Sequence, residues 1–181
     1  MVSAVVRWLR ENVSARVILT ILRIWIGWQW LVASLEKLGS PAWTGAQSGS
    51  AITGFLQHAV TLSTGNHPSV QGWYASFISG VALPSAGFLT YLVPIGEFLV
   101  GIALISGTVT TFAALMGAFM NTAFLLAGTT STNPIMLIAE VFILVAGFNA
   151  AMYGIDYWFI PWFRKAWKHE VAVGAKPKQR V

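Results

Sequence analysis

The chain has 181 residues, of which 56% are apolar or aromatic and 9% charged, too few charges to cover a soluble domain of this length. Its net charge is +5, but the basic residues are not interleaved with aromatic ones as on a nucleic-acid surface, so no nucleic-acid partner is expected. There is no cysteine, which excludes disulfides, thiol redox relays and thiolate metal sites.

The positive charges collect at the two ends. Arg7, Arg10, Arg16, Arg23 and Lys37 precede a long stretch without Lys or Arg. Arg164, Lys165, Lys168, Lys176, Lys178 and Arg180 follow it. Short cytoplasmic segments of membrane proteins keep their Lys and Arg. The pattern therefore predicts a chain that crosses the plasma membrane an even number of times, with both termini cytoplasmic. Membrane lipid is then its first partner, anionic headgroups facing the basic ends.

In chain order, Val2, Val5, Val6, Leu9 and Val13 recur at helical spacing with Arg7 and Arg10 between them, which predicts a short interfacial helix. The apolar run beyond it is too long for a cleaved signal peptide and no small-residue cleavage site follows, so an uncleaved anchor is expected. Four runs approach the ~20 residues that a membrane helix needs. They cover 17–38, 88–106, 110–127 and 135–152, with turns at Ser106-Gly107-Thr108 and at Gly128 to Pro134. Between the first two runs, Ile52, Phe55, Leu56, Ala59 and Val60 form one helical apolar face. Val70, Trp73, Tyr74, Phe77, Ile78 and Val81 form another. Two amphipathic helices are thus expected in the outer loop. The predicted fold is all-α: one integral membrane domain, an up-down four-helix bundle. A disordered basic tail is expected over 168–181.

Each span carries small or polar residues at alternating steps of four and three, hence on one helix face. The stripes are Arg23, Gly27, Trp30, Ser34 and Lys37; Thr90, Pro94, Glu97 and Gly101; Thr110, Ala114, Gly117, Asn121 and Phe124; and Asn133, Leu137, Glu140, Leu144 and Gly147. Such stripes turn inward because lipid offers polar groups no partner. For the small residues, close packing accounts for the pattern. Glu97 and Glu140 are different, because a carboxyl group in hydrocarbon costs at least about 2.5 kcal/mol. They are read either as structural, hydrogen-bonded acids or as the lining of a cavity that binds a ligand or passes protons. By depth along the helices, Glu97, Asn121 and Glu140 form one outward-opening site, with Glu36 and Lys37 at its mouth and Asn133 at its rim. Arg23 lies near the inner end, where it is expected to snorkel or to meet Asn149 or Asp156.

Trp43, Trp158, Trp162 and Trp167 fit interfacial belts. Trp30 is deeper and on a stripe, placed to stack on a flat ligand. His58, His67 and His169 all fall outside the spans, so neither haem nor another metal is expected.

The run R-I-W-I-G-W-Q-W-L-V-A-S-L-E-K from Arg23 to Lys37, followed by Pro41-Ala42-Trp43, resembles the first span of the DoxX family. G-E-F-L-V-G-I-A-L from Gly96 to Leu104 is similar to that family's Gly-Glu signature. Asn121, Ala127-Gly128-Thr129 and Ser131-Thr132-Asn133-Pro134 are similar to its third-span motif, and Asn149 and Asp156 fall where relatives also carry polar residues. The resemblance covers about 17–163. It implies a four-helix membrane protein. Its DoxD branch is known as the large subunit of thiosulfate:quinone oxidoreductase, while distant relatives act as assembly factors or cargo receptors. The leading expectation is therefore a membrane subunit of a quinone-linked oxidoreductase, with thiosulfate as the best-known donor. The quinone ring would lie near Trp30 and its carbonyls near Glu97, Asn121 and Glu140, one carboxyl exchanging the accompanying proton. Glu97 and Glu140 are the expected catalytic residues, and Trp30, Lys37, Asn121 and Asn133 the expected quinone-binding ones. Lys37 alone is a poor site for a dianion, which leaves room for a donor site on a second subunit. The alternatives are a non-enzymatic chaperone or scaffold for a redox complex and a small proton-coupled carrier.

Overall fold

The computed structural model describes residues 3–174, with side chains up to residue 165. All regular elements among these residues are helical. Helix α1 (Ala4–Glu11) starts at Ser3, whose hydroxyl accepts from the Val6 amide at 3.3 Å. Asn12 leaves the helical conformation, and its side chain accepts from the Ser14 amide at 2.8 Å to start α2 (Val13–Leu38). One asparagine thus turns the chain from a short helix with exposed Val5 and Trp8 into the long first span.

α2 lies along α5 (Ala86–Ser106). The crossing is close because both partners are bare at the contact. A Cβ on Gly27 would sit 2.9 Å from the Gly101 carbonyl oxygen, and one on Gly101 would sit 2.9 Å from that of Gly27. Pro94 has no N–H and interrupts the α5 ladder. Its own carbonyl accepts from the Ser34 hydroxyl at 2.9 Å. α6 (Thr110–Leu126) and α7 (Asn133–Ala146) form the second close pair. Contacts run from α2 to α5, α5 to α6, α6 to α7 and α7 back to α2, so the four helices surround a common core that includes Leu19, Ile26, Trp30, Leu104, Ala114 and Ile143. Their outer faces are also apolar, with Trp28, Leu92, Leu99, Phe119 and Phe142 exposed. α2 and α5 are long and apolar enough to cross a membrane; α6 and α7 are apolar but shorter.

The connections alternate between two ends. At one end, the α6–α7 turn meets the long α2–α5 connection, where a Cβ on Gly128 would lie 2.9 Å from Leu62 Cδ1. At the other, the amides of Ile155 and Asp156 donate to the carbonyls of Ser106 and Gly107, at 3.2 and 2.9 Å. The long connection contains α3 (Ser50–Thr61), α4 (Gly72–Phe77) and a π-helical turn, Ile78–Ala82. Ile52, Leu56 and Ala59 pack with Ile78, Ala82, Ala86 and Ala127. Of the face expected on the second outer helix, Val70 and Ile78 are buried and Tyr74 half-buried, with Ala75 and Ala82 beside them, whereas Trp73, Phe77 and Val81 are exposed. Ile78, Ala82 and Tyr74 pack with the buried side of α3.

Two expectations are corrected. The fourth run is not one helix: α7 stops at Ala146, and Gly147, at φ 58° and ψ −128°, separates it from the short α8 (Phe148–Ala151). The break turns Asn149 toward α1, where its amide donates to the carbonyls of Leu9 at 2.7 Å and Asn12 at 3.2 Å. Residues 168–174, expected in a disordered tail, are helical, because α9 (Asp156–Gly174) meets no further Gly or Pro between Pro161 and Gly174. The remainder of that tail, 175–181, lies outside the described residues.

Candidate functional site

The stripes predicted on α2, α5 and α6 do turn inward. Arg23, Gly27, Trp30, Ser34, Thr90, Pro94, Glu97, Gly101, Thr110, Ala114, Gly117 and Asn121 are all buried. α7 is rotated by one residue from expectation: it buries Met136, Ala139, Glu140 and Ile143, leaving Leu137 and Leu144 half-buried.

A cavity of about 400 Å³ opens where α2, α3, α5 and α7 converge at the end holding the α6–α7 turn. α2 contributes Gln29, Trp30, Ala33, Glu36 and Lys37; α5 contributes Glu97; α7 contributes Asn133 and Met136. Aromatic side chains form one wall: Trp30 and Phe124 have ring centroids 6.4 Å apart, and Phe124 meets Phe55 edge-on at 6.2 Å. On another wall Lys37 Nζ donates to both oxygens of Glu97, at 3.0 and 2.8 Å, and lies 5.6 Å from the Trp43 ring centre. This is the sole ion pair among the described residues. It is asymmetric, the Glu97 side chain being 1% exposed and that of Lys37 22%.

Glu140 lies behind this cavity. Its Oε1 accepts from Trp30 Nε1 and its Oε2 from Asn121 Nδ2, both at 2.8 Å. The carboxyl is fully buried and held by two neutral donors, with no cation in ion-pair range. The room for it comes from Gly117, where a Cβ would overlap Glu140 Oε1 and lie 3.0 Å from Trp30 Nε1. Asn121 Oδ1 is buried without a partner. Turning that amide over would present an acceptor to a protonated Glu140, so the pocket can serve either state of the acid.

Of the six expected site residues, Trp30, Lys37, Glu97 and Asn133 line the cavity, whereas Asn121 and Glu140 do not. The single site expected from depth is two sites, because the Trp30 indole stands at the boundary. It lines the cavity and donates to Glu140 behind it. Asn133 is at the rim, its amide donating to the Thr129 carbonyl at 3.1 Å.

The DoxX family profile matches residues 18–130 of the 181. The chain belongs to the DoxX family. The DoxX match takes in Trp30, Lys37, Glu97 and Asn121 and ends before Asn133 and Glu140, short of the 17–163 over which the resemblance was expected. Membership suggests a membrane protein, and the family is often associated with oxidoreductase-related functions. No curated protein and no solved structure matched this DoxX chain.

Arg23 does not snorkel. It is 1% exposed, and its Nη2 donates to the Tyr153 carbonyl at 3.3 Å while Nε and Nη1 have no hydrogen-bond partner. Gly107 and Gly154 make its space: a Cβ on Gly107 would overlap the guanidinium. Of the partners expected for it, Asp156 is near enough to interact with its charge but forms no ion pair with it, and both expected partners make their hydrogen bonds elsewhere. Asp156 accepts from the amides of Val109 and Thr110, each at 2.7 Å, and so caps the start of α6. Asn149 accepts from Arg16 Nε at 2.7 Å.

Glu36, expected beside Lys37, lines the cavity, and residues outside the predicted set include Gln29 and Ala33. With Glu36 these form a second stripe of steps four and three beside the first, and Gln29 is a polar residue in an apolar run, so the signal was present. Phe55 was visible only as part of an amphipathic face, one of two outer helices expected over the bundle mouth, and α3 does lie there with Ile52 and Phe55 lining the cavity.

Proposed function

We propose that the protein is a multi-pass plasma-membrane subunit of a quinone-linked oxidoreductase, with both termini cytoplasmic. The membrane part is supported by the apolar outer faces of the four helices and by the Lys and Arg at the chain ends. α6 and α7, with 17 and 14 residues, are short for a bilayer core. α8 continues α7 beyond Gly147, and local thinning accommodates a modest mismatch.

One observation carries the quinone reading: a cavity of about 400 Å³ combines an aromatic wall with a Lys–Glu pair whose carboxyl is buried, and a second carboxyl sits directly behind the aromatic wall. That volume is within the ~300–1,000 Å³ of small-molecule sites. Trp30 and Phe124 suit a flat ring. Lys37 is the cation available to a carbonyl oxygen, positioned by Glu97. A bound quinone would take up two electrons and two protons and leave as the quinol. Glu97 can carry one such proton at the cavity wall. Glu140 can hold another behind Trp30, where the Asn121 amide can turn to accept it. With thiosulfate as donor, two molecules joining as tetrathionate would release the two electrons. Lys37 is the sole cation lining the cavity, so the dianion is assigned to a second subunit.

The test is purification in mild detergent followed by solvent extraction and identification of bound quinone. A stoichiometric quinone, lost in Trp30→Ala, is expected. A quinone-free protein that is folded and still copurifies with a redox partner would favour the scaffold reading. A specific observation supports that second reading: Trp73, Phe77 and Val81 form an exposed apolar strip on the outer helix.

A further inference from the structure

The α1–α2 corner and the α7–α8 break border a second cavity, open to the surface and of about 390 Å³, at the end opposite the first. We propose that it is a binding site for the phosphate of an anionic phospholipid headgroup.

Its polar wall consists of Arg10, Arg16 and Asn149. Each arginine is held by its Nε alone. Arg10 Nε donates to the Val145 carbonyl at 2.9 Å, and Arg16 Nε to Asn149 Oδ1 at 2.7 Å. Among the described residues no acceptor takes the terminal Nη groups of either, so two oriented guanidinium ends remain for an outside anion. No acidic side chain lines the cavity. Guanidinium forks match phosphate oxygens in pairs, which a point-like ammonium does not. The other wall is apolar, with Phe148 and Met152, and Phe148 is also exposed on the outer surface. A site with cations on one side and an apolar flank on the other suits an amphiphile better than a free ion. Its position agrees: α1 presents exposed Val5 and Trp8 beside it, an interfacial surface. In the orientation proposed above this is the cytoplasmic boundary, where anionic headgroups meet basic residues.

The site is built by the break itself. Ending α7 at Ala146 frees the Val145 carbonyl, which then fixes Arg10. Turning the chain at Gly147 brings in Asn149, which then fixes Arg16.

The test uses the full-length protein in detergent, titrated with soluble short-chain phosphatidylglycerol, with phosphatidylcholine of the same chain length, and with inorganic phosphate, read by thermal shift and native mass spectrometry. Saturable stabilisation by phosphatidylglycerol alone is expected. R10Q/R16Q should weaken it about tenfold or more, the equivalent of losing one charged hydrogen bond. R10K/R16K, which keeps the charge should the first variant fail to fold, should also bind more weakly than wild type. R164Q/K165Q, which removes two cations elsewhere, should bind as wild type does. Equal stabilisation by inorganic phosphate would make this a small-anion site and overturn the lipid assignment. Equal losses in R164Q/K165Q, or undiminished binding in R10K/R16K, would mean diffuse charge attraction and would overturn the site. A quinone-free preparation has no bearing on these outcomes, so this inference stands or falls apart from the quinone reading.

Discussion

At the scale of single residues, two buried carboxyls are stabilised in different ways, and that difference predicts different costs. Glu97 has a cation and Glu140 has two neutral donors. Lys37→Met would leave Glu97 buried and uncompensated, a loss of about 3–5 kcal/mol. Glu97→Gln leaves Lys37, which is partly exposed and can reach solvent, so it should cost less. Unfolding in detergent should rank the two in that order. Glu97→Gln should therefore insert normally yet lose quinone turnover; full activity in the folded variant would remove Glu97 from the mechanism. Around Glu140 the order between donor and acceptor is the same, for a different reason. Trp30→Phe removes an N–H and leaves one buried oxygen unpaired, costing about 1–3 kcal/mol. Glu140→Gln should cost less, because the Asn121 amide can turn so that its Oδ1 accepts from the new carboxamide. Thermal unfolding of both variants checks this, and a larger loss in Glu140→Gln would show that the Asn121 amide is fixed.

At the scale of elements, two glycines on neighbouring helices are required for opposite reasons. Gly117 has an ordinary helical backbone but no space, because Glu140 and Trp30 fill the position of its Cβ. Gly147 has open space but a left-handed backbone, with φ 58°. Ala at either should cost about 1–3 kcal/mol, by overpacking in the first case and by backbone strain in the second. Removing Glu140 separates them: Glu140→Ala should rescue Gly117→Ala and leave Gly147→Ala unchanged in a double-mutant cycle. These elements also show what the sequence discloses. The stripes on α2, α5 and α6 were legible because small and polar residues at helical steps stand out in apolar runs, and they located four cavity-lining residues. The end of α7 was not. Ala146-Gly147-Phe148 reads as continuous apolar helix, and the bonds that draw Asn149 out of line go to Leu9 and Asn12, more than a hundred residues away. The division of one polar site into two was hidden for a similar reason, since it depends on which way the Trp30 indole faces. Arg23 is at the level expected, near Asp156, but was expected to snorkel because helix direction alone favours it, whereas Gly107 and Gly154 provide an interior space that only the packing of distant turns creates.

At the scale of the whole molecule, the alternation of connections between two ends gives a test of orientation. Reporter fusions at Ser131 and after Val181 should report opposite sides of the membrane, and the same side for both would end the four-span arrangement. The placement of the tryptophans has another consequence. The chain has nine, and among those with described side chains Trp30 alone is buried. Its indole is bonded to Glu140 and faces the cavity. The protein therefore contains its own optical probe. Of the other described indoles Trp43 alone also lines the cavity, and it is present in wild type and Trp30→Phe alike, while Trp30 would lose its emission to any electron acceptor stacked against it. The difference in fluorescence between wild type and Trp30→Phe isolates that one signal. Followed during a titration, it reads out occupancy of the cavity in an intact membrane, with no label attached and no turnover required.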